Sequence, residues 1–108
     1  MTIQEMALNL PEVTEEPHFE KSSFRVNKKI FLTLNSAQSN AVVKLSLVDQ
    51  DVFSSMSNGA VSPVDNKWGT QGWTQINMNT VDQNLLQDIV KTAYKTVAPK
   101  KFIDRMID

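Results

Sequence analysis

Ser22-Ser23-Phe24-Arg25-Val26-Asn27-Lys28-Lys29-Ile30-Phe31-Leu32-Thr33-Leu34 is the stretch on which the fold turns. Phe24 and Val26 alternate with Arg25, and Ile30, Leu32 and Leu34 alternate with Phe31 and Thr33. A period of two is that of a strand with one face toward the core. Asn27-Lys28 between the two runs reads as a tight turn. After the polar run Asn35–Asn40, Val43 and Leu45 alternate with Val42 and Lys44. Three short strands joined by short polar loops predict an antiparallel meander.

Helical signals flank the meander. Thr2 and Glu5 have the spacing of a capping box, and Ile3, Met6, Ala7 and Leu10 recur on one face up to Pro11. Glu12, Glu15, Glu16 and Glu20, interrupted by Pro17, read as an acidic loop. Ser46 with Asp49 caps a short helix whose inward side is expected to be Val52, Phe53 and Met56, closed by Asn58-Gly59. Val61–Val64, broken by Pro63, fits an edge strand. A loop, Asn66–Gly72, then leads into a strand, Trp73–Met78. Thr80 with Gln83 reads as a third capping box, before the stripe Leu85, Leu86, Ile89, Val90, Ala93 and Val97; Pro99 stops that helix. The tail from Lys100 to Asp108 adds a short terminal turn. The expected fold class is α+β: one domain, residues 1–108, an antiparallel β-sheet with N- and C-terminal helices packed on one face and the other face open.

Composition narrows the function. In 108 residues, 41% are hydrophobic and 21% charged, so the chain can build one core and does not read as disordered. No cysteine is present, which excludes disulfides and thiolate chemistry and accords with a cytoplasmic location. No apolar run approaches the roughly 20 residues of a membrane span. A net charge of −1 and a pI of about 5.8 lack the basic excess of a dedicated nucleic-acid binder. There is no P-loop, no dinucleotide fingerprint and no second histidine beside His18. The chain therefore reads as a binding module, with no catalytic residues, no metal site and no cofactor.

Three motifs resemble the MmcQ/YjbR family: Pro17-His18-Phe19-Glu20-Lys21-Ser22-Ser23-Phe24-Arg25-Val26 with Lys29-Ile30-Phe31, then Lys67-Trp68-Gly69-Thr70-Gln71-Gly72-Trp73-Thr74, then Val97-Ala98-Pro99-Lys100-Lys101. The resemblance runs from the first helix to about Phe102. It implies a CyaY-like (frataxin-like) fold and brings the family's DNA-binding label, based on a double-wing arrangement of hairpins. The acidic balance of this chain departs from that label. By analogy with frataxins, Glu5, Glu12, Glu15, Glu16 and Glu20 are a candidate iron-binding end.

The candidate anion- or nucleic-acid-binding residues are Lys21, Arg25, Lys28, Lys29, Lys44 and Trp73. The first four place four cations within nine residues, with Lys44 on the same outward type of sheet position as Arg25. Trp73 offers an indole beside them for stacking. The expected partner is DNA or another anion, bound by a monomer away from any membrane. A protein–protein or small-ligand module anchored by Trp73 is the alternative. Trp68 is expected to be structural, and His18 to anchor its loop by a hydrogen bond.

Overall fold

A computed structural model describes residues 1–106 and gives the element order α1 (Ile3–Leu8), β1 (Val13–His18), β2 (Lys21–Val26), β3 (Lys29–Asn35), β4 (Asn40–Lys44), α2 (Leu47–Met56), β5 (Val61–Pro63), β6 (Trp73–Asn77), α3 (Gln83–Val97) and α4 (Lys100–Ile103). The six strands form one antiparallel sheet in the order β1-β2-β3-β4-β6-β5. The expected α+β architecture holds, with one addition. The acidic stretch is a strand, β1, paired along its whole length with β2 from Val13 opposite Val26 to His18 opposite Lys21. Apart from half-buried Val13 and His18 its residues are exposed, so backbone pairing rather than burial holds it in place.

The helices cover one face. α3 packs over β3 and β4 and meets α1. Its stripe of Leu85, Leu86, Ile89, Val90 and Ala93 is buried, as the spacing predicts, and Tyr94 joins it. The Tyr94 ring meets Phe31 edge-on at 5.7 Å, and its hydroxyl donates to the Pro11 carbonyl at 2.7 Å. The chain end beyond α3 returns to the same place, where Arg105 pairs with Glu12 at 3.2 Å. Among the described residues no helix is long and apolar enough to cross a membrane.

Several local expectations need correction. The ladder between β2 and β3 slips at Phe24/Arg25, where Arg25 pairs with Ile30 and Phe24 with Leu32, leaving Phe31 as an extra residue. This bulge puts Phe31 and Leu32 both into the core and turns Ile30 to the open face. In α2, Val52 and Met56 are exposed, Phe53 is half-buried, and the fully inward residue is Gln50. The α3 cap is Asp82, whose carboxylate accepts from the Leu85 N–H at 3.0 Å, rather than Thr80. Its negative charge at the helix N-terminus is favoured by the macrodipole. The caps expected at Thr2 and Ser46 form as read.

Candidate functional site on the open sheet face

Strand register sets what the uncovered face carries. Residues directly opposite one another share a face. His18 lies opposite Lys21, Arg25 opposite Ile30, Thr33 opposite Val42, Val42 opposite Gln75, and Lys44 opposite Trp73. From these rows and the loop after β5 comes a groove of about 310 Å³, lined by His18, Lys21, Ile30, Thr33, Val42, Val64, Trp68 and Trp73. Its floor is apolar, and contributions arrive from both outer thirds of the sheet.

The two tryptophans reach the groove through one tight turn. A short 3-10 segment, Gly69–Gln71, ends at Gly72 with φ +101°, a left-handed conformation that suits glycine. A Cβ on Gly72 would overlap the Leu45 carbonyl oxygen, and one on Gly69 would overlap that of Val64. The turn therefore lies flat against its neighbours. Buried Gln50 fastens it from α2: its Nε2 lies 3.0 Å from the Gly69 carbonyl oxygen, 3.2 Å from that of Trp73 and 3.0 Å from the Thr74 hydroxyl oxygen.

Cations stand beside both indoles. Lys44 Nζ is 5.5 Å from the Trp73 ring centroid and donates to the Gln71 carbonyl; Lys67 Nζ is 5.8 Å from the Trp68 centroid. Both fall within cation–π range. Trp68, expected to be structural, is 49% exposed and belongs to the groove with Trp73. His18 borders the groove too. Its ring meets that of Phe19 edge-on at 5.0 Å, and it makes no side-chain hydrogen bond among the described residues, in place of the anchoring bond expected.

The six candidate residues are divided. Lys21, Lys44 and Trp73 cluster at the groove. Arg25 shares the open face but is half-buried and engaged: its Nε donates to the Ser23 hydroxyl at 3.1 Å and lies 3.7 Å from the Glu16 carboxylate. Lys28 and Lys29 sit at the β2–β3 turn, the opposite end of β2 from Lys21. β2 runs from Lys21 to Val26, which pairs with Lys29; at about 3.3 Å per residue those ends lie roughly 16 Å apart, so the four cations form no single patch.

The carboxylates proposed for iron are dispersed. Glu5 is held by the Thr2 cap, Glu12 by Arg105 and Glu16 by Arg25. Among the described residues no three His, Cys, Asp or Glu side chains gather as a metal site. A second hollow of about 360 Å³ is lined chiefly by amides and hydroxyls, including Gln38, Asn40, Ser62, Gln75 and Asn77. It offers hydrogen bonds but no apolar anchor.

Register and the bulge explain what sequence reading missed. Val42 faces outward by the alternation of its own strand, whereas Ile30 reaches the groove only through the bulge and Val64 from the loop after β5, neither of which periodicity within one strand reveals. Trp68 had a legible signal in the glycines that flank the turn.

A family model described as YjbR matches residues 8–96. No curated protein matches the chain. Two solved chains do. One is protein DR2400 of Deinococcus radiodurans, described with a DUF419 domain; it is 19% identical, with a TM-score of 0.76, over 93% of this chain and 78% of that one. At that identity the likeness concerns the fold.

Proposed function

The chain belongs to the YjbR family, and from that membership we propose that it is a non-catalytic interaction module that seats an apolar or aromatic group of its partner between Trp68 and Trp73. The carrying observation is that two half-exposed indoles line one apolar groove on a sheet face that the chain's helices leave uncovered. Aromatic residues in such pockets supply most of the energy of an interface. Lys21, Lys44 and Lys67 favour a partner with negative charge beside the seated group, and that charge steers the encounter more than it tightens it.

Intrinsic tryptophan fluorescence tests this directly. A short peptide with one phenylalanine between aspartates is titrated into the protein. Trp73→Ala and Trp68→Ala should each weaken binding at least tenfold, and raising the salt should weaken it only modestly. A peptide that perturbs neither indole ends the proposal.

A second reading, contact with duplex DNA, is favoured by the exposed Lys28 and Lys29 at the β2–β3 turn. Its binding would fall steeply with salt and vanish in a Lys28→Glu, Lys29→Glu double variant. The groove reading expects that variant to bind peptide normally.

A further inference from the structure

We propose that, before a partner arrives, the groove is filled by Phe19 of a second copy of this chain, forming a two-fold dimer that the partner must displace. The inference rests on the groove being a binding site and names its resting occupant.

Phe19 is the outlier that points there. It is 95% exposed, the most exposed large hydrophobic residue of the described chain. It also occupies the first central position of the two-residue turn between β1 and β2, with φ +60°, while Glu20 after it does not have positive φ. That sign pattern is the one in which hairpins favour glycine at the first position. A bulky residue there is a genuine outlier, and such conformations concentrate at functional positions. Within the chain the Phe19 ring meets the ring of His18, which does not bury it.

Knob and hole are neighbours on one molecule. His18, the residue before Phe19, lines the groove, and so does Lys21, two residues after it. A two-fold axis between tip and groove lets each Phe19 enter the other copy's groove, a self-complementary contact. The charges match as well. Phe19 is followed by the carboxylate of Glu20, and the groove is rimmed by Lys21, with Lys44 and Lys67 over its indoles. The chain thus carries a ligand of the class its groove favours, an aromatic ring beside an acid. A dimer replaces the monomer expected from sequence.

Sedimentation velocity across a concentration series tests this on the whole chain. The wild type should show a monomer–dimer equilibrium. Phe19→Gly suits the left-handed turn and so keeps the fold; it should raise the dimer dissociation constant at least tenfold, as should Trp68→Ala. Mixing the two variants should give a heterodimer tighter than either variant's own dimer and weaker than the wild type, because one intact Phe19 then faces one intact groove. A wild type that stays monomeric up to millimolar concentration overturns the dimer. So does a dimer that survives Phe19→Gly, or a mixture that associates no more tightly than either variant alone. The acidic phenylalanine peptide separates the two readings. Peptide binding by a monomeric wild type leaves the groove's function standing and removes the dimer alone. A dimer that the peptide neither binds nor dissociates removes the partner reading alone.

Discussion

The backbone N–H of Trp73 donates to the carbonyl of Trp68 at 3.1 Å, and that bond closes the turn that brings both indoles to one groove. The site therefore depends on a few backbone conformations around Gly72 as much as on the aromatic rings.

Gly72→Ala tests that dependence. The new methyl group meets the Leu45 carbonyl and sits at φ +101°. The left-handed strain alone costs about 1–2 kcal/mol, and the clash adds to it. Urea unfolding should show a loss of about 2 kcal/mol or more, with a shifted tryptophan emission maximum in the folded protein.

Gln50→Leu removes the fastening from α2. The Gly69 carbonyl keeps the Gly72 N–H at 3.1 Å and the Trp73 carbonyl keeps the Val64 N–H at 3.1 Å, so no group is orphaned and the loss is that of the side-chain bonds, about 0.5–1.5 kcal/mol each. Denaturant unfolding should register that loss. Peptide binding should weaken too, although Gln50 does not line the groove.

How much was legible in the chain follows from where burial does the organising. The α3 stripe, the Thr2–Glu5 box and the Asn27-Lys28 turn, whose two residues both have positive φ, were readable because each is a local pattern with a local cause. β1 was not, because it buries almost nothing; its partner is a backbone, and backbones leave no mark on composition. The Phe31 bulge escaped for a related reason. Strict alternation assigns Phe31 outward, and only the pairing of Arg25 with Ile30 reverses it. The candidate cations were identifiable as residues but not as a group, since a strand's two ends are close in number and far in space.

Tyr94→Phe removes the bond to the Pro11 carbonyl and should cost about 1–2 kcal/mol. Burial holds the Tyr94 phenol above its ordinary 10.0, Arg105 opposes the shift, and Glu12 adds to it. With the folded value raised, this stabilisation is complete below pH 10 and is lost as pH rises through the folded value. Alkaline unfolding curves of the wild type should show that loss, and those of the variant should lack it.

Glu5 titrates in the opposite sense. The Thr2 backbone N–H, at 2.9 Å, and then its side chain hold the carboxyl below its ordinary 4.5. The cap therefore stabilises α1 above pH 4.5 and is lost as pH falls through the depressed value. Carboxyl carbon shifts measured by NMR should place the Glu5 midpoint under 4.5 and move it upward in Thr2→Val.

The sheet has two free margins, and each is spoiled as a template. β5 is three residues long and ends at Pro63, while β1 carries Glu15, Glu16 and a proline at position 17 that lacks one ladder donor. A foreign strand finds charge and a missing hydrogen bond at one side and almost no length at the other. Such a platform can be crowded in large numbers without growing into fibrils, so partners are left to approach it broadside.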